Sequence, residues 1–156
     1  MGLIEQLGAD KVRSMNLREP VVVPRDATVR DAILAMREGD LGCAIVVDDA
    51  HKPVGMFTEG QLREELPFSP DMVNRPVARY MADRFPWVNE DDAVEVVLDA
   101  MRVNNTRFVC VVDADGKLVG LTGQKGLMEY IAETFPRQVM VQRVGGTPYP
   151  EDREGA

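Results

Sequence analysis

The sequence predicts an α+β fold made of two β-α-β-β-α repeats that pack pseudo-symmetrically through their sheets. Three observations lead to it: an internal repeat, hydrophobic patterns that alternate between strand and helix type, and the small size of each half. At an offset of 65 residues, positions 23–64 align with 88–129 without a gap, and 14 of the 42 positions are identical. Neither half is large enough for a comfortable core of its own, so we expect the two sheets to shield each other.

Each copy begins with a short apolar strand, in "PVVV" and in "PWV", followed by a polar turn. Apolar residues then recur at helical spacing in "DATVRDAILAM" and "DDAVEVVLDAM". Thr28 with Asp31, and Asp92 with Glu95, are expected to be the N-cap and N3 residues of these two helices. Each copy therefore continues from its first strand into an amphipathic helix.

A hairpin and a second helix complete each copy. Two Val-rich strands flank the turns "DDAHK" and "DADGK", a spacing typical of antiparallel pairs. The later strands and closing helices are expected at residues 43–47, 54–57 and 59–66, and at 108–112, 118–122 and 125–135.

The repeats set the expected domain organisation. An N-terminal segment occupies residues 1–11, the first repeat 12–66, a linker 67–76, the second repeat 77–135, and a short strand with a flexible tail 136–156. Pro67, Pro70 and Pro76 prevent a continuous helix across the linker. The final residues are rich in Gly, Pro and acidic side chains, a composition typical of mobile ends.

Composition argues against several classes of partner. The net charge is −8 and no Lys/Arg cluster is present, so neither nucleic acid nor an anionic membrane surface is expected as a partner. Apolar runs reach only about six residues, too short to span a bilayer. Glu5 and Asp10 are unlike an export signal, and Cys43 and Cys110 lie in apolar runs as buried free thiols do. We therefore expect a cytoplasmic protein.

No catalytic arrangement is recognisable in the sequence. The chain has one His and two separated Cys residues, and it has no nucleophile elbow and no phosphate-binding Walker loop. We therefore expect a non-enzymatic protein without a metal site or a required cofactor.

The two units resemble a tandem pair of cystathionine β-synthase (CBS) domains, also called a Bateman module. The resemblance is carried by "AIVVDDAHKPVGMFTEGQL" and "VCVVDADGKLVGLTGQKGL", each preceded by a helix pattern and by "VRSM" or "VARYM". It covers roughly residues 12–135. Membership implies that an adenosyl ligand (AMP, ADP, ATP or S-adenosylmethionine) binds in clefts between the units. In the family pattern, a Ser or Thr begins the closing helix near the phosphate, and an Asp three residues later binds the ribose.

The first copy keeps part of that pattern. Thr58 retains the hydroxyl, but Gln61 replaces the Asp and offers one neutral acceptor oxygen. The resemblance implies a first cleft lined by Val22, Ala44, Ile45, Thr58 and Gln61. Thr58 and Gln61 also fit a capping box, which would need no ligand.

The second copy has lost both polar positions. Gly123 and Gly126 replace the hydroxyl and the carboxylate, and Thr122 lies one place early, on the other face of its strand. Bare amides at the helix start could still receive a phosphate. The residues assigned to this second, degenerate cleft are Trp87, Arg107, Val109, Gly123 and Lys125. Trp87 could stack on a base, belong to the core or fill the vacated cleft, and Arg107 could bind a phosphate or be a surface charge.

Two functions follow from the sequence. The first is a regulatory or sensor module that binds an adenosyl ligand in the first cleft. The alternative is a ligand-free scaffold for dimerisation or protein interaction. The resemblance implies a homodimer formed through the helices near 32–37 and 97–102 and an unidentified protein partner.

Overall fold

A computed structural model describes residues 2–104 and 106–134 of the chain. A short helix α1 (Leu3–Ala9) precedes the repeats. The first repeat consists of β1 (Val22–Pro24), α2 (Val29–Gly39), β2 (Cys43–Val47), β3 (Pro53–Thr58) and α3 (Glu59–Glu65). The second repeat consists of β4 (Trp87–Asn89), α4 (Glu95–Asn104), β5 (Phe108–Val112), β6 (Leu118–Gly123) and α5 (Gln124–Thr134). The predicted order of elements is confirmed in both repeats.

The two three-stranded sheets have the same topology and the same register. In each, the first strand pairs in parallel with the middle strand, which pairs antiparallel with the third. Val22 is opposite Ile45 in one sheet, and Trp87 is opposite Cys110 in the other, so the register follows the 65-residue offset. The internal repeat of the sequence is therefore a repeat of the backbone.

The helix starts agree with the sequence in one copy and differ in the other. Thr28 and Asp31 form the expected capping box at α2. At α4, which begins at Glu95, the expected cap by Asp92 is wrong. The Asp92 carboxylate instead accepts a hydrogen bond from the backbone N–H of Asn89 at 2.8 Å, within the preceding turn. Short acidic side chains often satisfy local turn amides in this way.

Three hydrophobic clusters hold the fold together. One lies between the first sheet and its helices, and a second lies between the other sheet and its helices. The third joins the repeats, because Cys43, Ile45 and Met56 of the first sheet pack with Cys110 and Leu121 of the second. Strand residues alternate between the two faces, so each sheet serves its own helices and the other sheet. The expected sheet-to-sheet packing is confirmed.

Backbone hydrogen bonds also cross between the repeats. The segment before β1 forms a bridge to β6, with Arg18 and Leu121 exchanging N–H···O bonds of 2.8 and 3.0 Å. The segment before β4 forms a similar bridge to β3, with Met56 and Ala82 exchanging two bonds of 2.9 Å. Each repeat is therefore completed by a stretch of chain that belongs to the other.

Helix α1 packs against the second repeat. Leu7 is buried in the same cluster as Tyr130, and the Asp10 carbonyl accepts the N–H of Val94 at 2.9 Å. The Tyr130 hydroxyl donates a hydrogen bond to the Asp10 carboxylate. Burial together with this carboxylate raises the pKa of Tyr130 to about 12. The N-terminal segment thus contributes to the core of the repeat that is farther away in sequence.

Among the helices of the described ranges, none is both long and apolar enough to cross a membrane. The strand and tail predicted for 136–156, and the last residue of the predicted closing helix, lie outside the described residues.

Candidate functional site

A cavity of about 450 Å³ lies at the start of α5, where the second repeat meets the first. This volume is within the range of small-molecule sites. Leu41 of the first repeat and Phe108, Leu121 and Met128 of the second supply its apolar walls. Residues from both repeats therefore form a single concave surface, which we call the second cleft.

The backbone at the entrance to α5 accepts only glycine. Gly123 has a φ of +155°, and a Cβ atom placed on it would lie 1.8 Å from the carbonyl oxygen of Arg107. The same carbonyl accepts the N–H of Gln124 at 3.3 Å. The family's hydroxyl-bearing residue thus cannot occupy position 123 without moving the chain. The amides of the first helical turn consequently receive no hydrogen bond from an N-cap side chain.

Thr122 lines this cleft from the neighbouring position, with its hydroxyl buried beneath α5. Its side chain is only 5% exposed, and its Oγ1 has no hydrogen-bond partner among the described residues. A Cβ atom on Gly126 would lie 2.5 Å from that oxygen, so the absence of a side chain at 126 leaves the hydroxyl its space. Thr122 lines the cavity although its side chain lies on the face of β6 opposite to position 123. Thr122 could not be identified as a site residue from the sequence, because its contact with Gly126 depends on how α5 docks on β6.

Three cationic side chains line the same cleft: Arg18, Arg107 and Lys125. No acidic residue is among its lining residues in the described ranges. Arg107 is exposed, with its guanidinium carbon 5.6 Å from the centroid of the Phe108 ring. Arg18 reaches the cleft because its backbone is bonded to Leu121. Sequence reasoning missed Arg18, since it precedes the aligned repeat.

The first cleft is arranged differently. Thr58 Oγ1 accepts the backbone N–H of Gln61 at 3.3 Å, and Gln61 Oε1 accepts the N–H of Thr58 at 2.8 Å. The structure therefore contains the capping box, the alternative that requires no ligand. Both polar groups that the resemblance assigned to a ligand satisfy the start of α3. The carboxylate of Glu59 lies nearby, 3.3 Å from where a Cβ atom on Gly42 would be.

The buried members of the predicted site belong to the hydrophobic clusters. Ala44 and Val109 are fully buried beneath the helices of their own repeats. Ile45 is fully buried between the sheets. Arg107, Gly123 and Lys125 of the predicted second cleft do lie together at one cavity.

Val22 and Trp87 each face the other repeat, although the sequence-based prediction placed each in the cleft of its own repeat. Val22, grouped with Thr58 in the sequence analysis, lines a cavity with Leu118 and Val119 of the second repeat. Trp87 lines another with Pro53 and Val54 of the first. Face-to-face sheet packing places each first strand beside the hairpin of the other repeat. Trp87 is 59% exposed, so it neither belongs to the core nor fills the second cleft.

A family model described as CBS domain matches residues 12–67 and 77–133. The chain belongs to the CBS domain family. CBS domain proteins are generally regulatory and non-catalytic. In the described ranges, no group of three or more His, Cys, Asp or Glu side chains is placed to hold a metal ion.

The chain covers different shares of the curated relatives that it matches. An uncharacterized 17.7 kDa protein of Acidianus ambivalens is 28% identical over 130 residues, covering 83% of this chain and 78% of its own. An arabinose 5-phosphate isomerase of Yersinia pestis is 30% identical over 102 residues, covering 65% of this chain. The chain spans only 30% of that isomerase, so the likeness concerns only that part of it.

Solved structures of CBS pairs share the fold. A CBS domain protein of Pyrobaculum aerophilum complexed with AMP has a TM-score of 0.71 at 23% identity, covering 88% of this chain and 100% of its own. The CBS domain pair of protein MJ0100, in complex with 5′-methylthioadenosine and S-adenosyl-L-methionine, has a TM-score of 0.70 at 18% identity. That match covers 80% of this chain and 98% of the other. At these identities the likeness shows the fold.

Proposed function

We propose that this CBS pair is a non-catalytic regulatory module that binds one adenosyl ligand in the second cleft. The open cavity of about 450 Å³ between the repeats is the observation that carries the proposal. Its apolar wall, with Phe108 and Leu41, suits a purine ring, and its polar end at α5 suits a phosphate. Related folds solved with AMP or with S-adenosyl-L-methionine support the ligand class. The unpaired thiols of Cys43 and Cys110 support a cytoplasmic location.

The second cleft is the better candidate because, among the described residues, no side chain caps the start of its helix α5. In the first cleft, Thr58 and Gln61 hydrogen-bond to each other, so a ligand would have to replace those bonds. In the second cleft, the Thr122 hydroxyl and the first-turn amides have no such partner side chain. The sequence-based expectation of a first-cleft ligand stays a prediction.

Regulation would act through the arrangement of the two repeats. A ligand in the second cleft touches Leu41 on one side and Phe108 and Leu121 on the other. It would favour the arrangement in which those surfaces are correctly spaced, and a protein partner that senses this arrangement would respond. Ligand binding in the cleft and the response of the protein partner are thus coupled through the contact between the two repeats.

Calorimetry and thermal unfolding with AMP, ADP, ATP and S-adenosylmethionine test the proposal. A ligand at one hundred times its dissociation constant should add about 2.7 kcal/mol of stability. Met128, 66% exposed at the cavity, offers a blocking variant, Met128→Trp, and Thr58→Ala is the matched first-cleft variant. We expect binding to be lost in Met128→Trp and kept in Thr58→Ala. The reverse pattern would move the site to the first cleft, and no binding of any compound would favour the scaffold alternative.

The scaffold alternative has its own structural support. Leu34 on α2 is 55% exposed and Leu98 on α4 is 38% exposed. A contiguous exposed apolar patch marks an interaction site, and pairing of α2 and α4 with a second copy would cover both residues. We propose that these helices pair two copies of the chain in a homodimer. Sedimentation as a monomer at tens of micromolar protein would contradict this part of the proposal.

A further inference from the structure

The two clefts differ in charge at three equivalent positions. Arg107 and Lys125 of the second cleft correspond, at the 65-residue offset, to Gly42 and Gly60 of the first. Arg18 bonds to Leu121 as Ala82 bonds to the equivalent Met56. At these three positions the second cleft has cations, whereas the first has two glycines and Ala82; the pocket at the start of α3 is lined by Arg37 and Arg107 together with Asp40 and Glu59.

Within the described residues, these cations form no ion pair. In the described part of the chain, no carboxylate oxygen lies within 4.0 Å of the side-chain nitrogens of Arg18, Arg107 or Lys125. The chain as a whole carries a net charge of −8, so this local positive field runs against its overall charge. A multiply charged anion would gain more from the cleft than a neutral or cationic ligand.

The Thr122 hydroxyl points to the same chemistry independently of charge. Its Oγ1 is buried and unpartnered beside Gly126, in the first turn of the eleven-residue helix α5. A buried hydroxyl without a partner costs stability, and this one lies beneath the first turn of α5, which lines the cavity. Thr122, the first turn of α5 and the three cationic residues thus line one cavity.

No group in the cleft replaces the ribose-binding carboxylate. Gly126 stands at the position three residues after Gly123 where the sequence pattern would have Asp, and the lining residues in the described ranges include no acidic side chain. A ribose diol therefore lacks its charged acceptor here. Ligand recognition shifts from the sugar to the phosphates.

We infer that the second cleft selects its ligand by a chain of two or three phosphates and is indifferent to the ribose 2′-hydroxyl. This inference rests on the proposed function of the same cleft and narrows its ligand from adenosyl compounds in general to nucleoside di- and triphosphates. Three cations match the charge of such a chain better than that of a monophosphate, and they repel the sulfonium of S-adenosylmethionine.

A matched ligand series measured by calorimetry at fixed ionic strength tests the inference. We expect affinity to rise about tenfold for each step from AMP to ADP to ATP, as a charge-assisted contact predicts. We expect 2′-deoxy-ATP to bind within about threefold of ATP, since a lost exposed hydroxyl contact is worth little. ATP binding no tighter than AMP, or a tenfold loss on removal of the 2′-hydroxyl, would overturn the inference and leave the adenosyl proposal standing.

Charge-removing variants identify the responsible residues. Lys125→Gln and Arg18→Gln are each expected to weaken ATP about tenfold and adenosine less than twofold, because only the phosphate contact is removed. Arg79→Gln, an exposed cation in the 3₁₀ turn Val77–Arg79, is the matched control and should change neither affinity. Equal losses for ATP and adenosine would overturn the inference.

Inorganic tripolyphosphate separates this inference from the proposed function. If no adenosyl compound binds but tripolyphosphate does, and Lys125→Gln weakens it, phosphate-chain recognition holds and the adenosyl function fails. If adenosine and AMP bind as well as ATP, the adenosyl function holds and phosphate-chain recognition fails. If no compound of the series binds, both fail.

Discussion

The carbonyl oxygen of Arg107 lies 1.8 Å from the position that a Cβ atom on Gly123 would take. The chain at the start of β5 therefore lies directly against the point where β6 leads into α5. At the equivalent step of the first repeat, the N–H of Glu59 bonds to the carbonyl of Gly42 at 3.1 Å, and Thr58 is tolerated with an ordinary extended backbone. The loss of the hydroxyl from the second copy is therefore tied to a local change of backbone conformation.

Gly123→Ser, which would restore the hydroxyl of the family pattern, is expected to destabilise the protein. The clash with the Arg107 carbonyl and the unfavourable φ should together cost about 2–4 kcal/mol of unfolding free energy. Urea unfolding measures it. Gly60→Ala is the control, because the nearest atoms to its new Cβ lie 3.6 Å away and alanine favours helix. A Gly123→Ser protein as stable as the parent would contradict the described backbone.

Thr122→Val is expected to stabilise the ligand-free protein. The change keeps the shape of the side chain and removes a buried hydroxyl that has no partner among the described residues, a gain of about 1 kcal/mol. Thr58→Val should have the opposite sign, because it removes the capping oxygen of α3 and costs about 1 kcal/mol. Thermal unfolding of both variants without ligand measures the difference. A loss of stability in Thr122→Val would show that its hydroxyl already has a partner.

Ile45→Ala is expected to destabilise both repeats together. Ile45 is fully buried in the cluster shared by the two sheets, and such truncations cost about 2–5 kcal/mol. Ile4→Ala, the same change at a position that is 81% exposed, should stay within about 0.5 kcal/mol of the parent. Unfolding followed by circular dichroism and by the fluorescence of Trp87, in the second repeat, should give coincident curves. Separate transitions for the two signals would show that the repeats fold independently.

Asp48 is expected to contribute to acid sensitivity. Its carboxylate accepts the backbone N–H groups of Lys52 and Ala50 at 2.9 Å, and these bonds lower the pKa of Asp48 in the folded state. A lowered folded pKa stabilises the protein above the unfolded value of about 3.9, and this contribution is lost as pH falls through the folded pKa. Asp48→Asn should therefore show a shallower loss of stability below about pH 4. An unchanged pH profile would contradict this role.

Much of the fold follows from local patterns in the sequence. The hairpins, the helices and the capping box of Thr28 depend on residues that are close together in the chain. The hairpin and helix patterns also occur twice, 65 residues apart, which strengthens their prediction. Sheet packing follows from size alone, because each half must bury its second sheet face. The hairpins, helices and capping box do not depend on how distant segments dock.

The candidate site depends on how distant segments dock against each other, so less of it could be predicted from the sequence. Val22 and Trp87 face the opposite repeat because the sheets pack face to face, which no local pattern reveals. Arg18 enters the cleft through a backbone bridge to a strand about one hundred residues later. The unpartnered hydroxyl of Thr122 arises from the packing of α5 over its strand.

The two crossing backbone bridges, Arg18 with Leu121 and Met56 with Ala82, have a consequence for a divided chain. If the polypeptide were cut in the linker, each fragment would lack hydrogen-bond partners that only the other supplies. The fragments should then reassemble as a bimolecular complex whose yield depends on their concentration. Because Arg18 also lines the second cleft, a bound nucleotide would promote reassembly of the fragments. The yield of the reassembled complex would then report ligand binding.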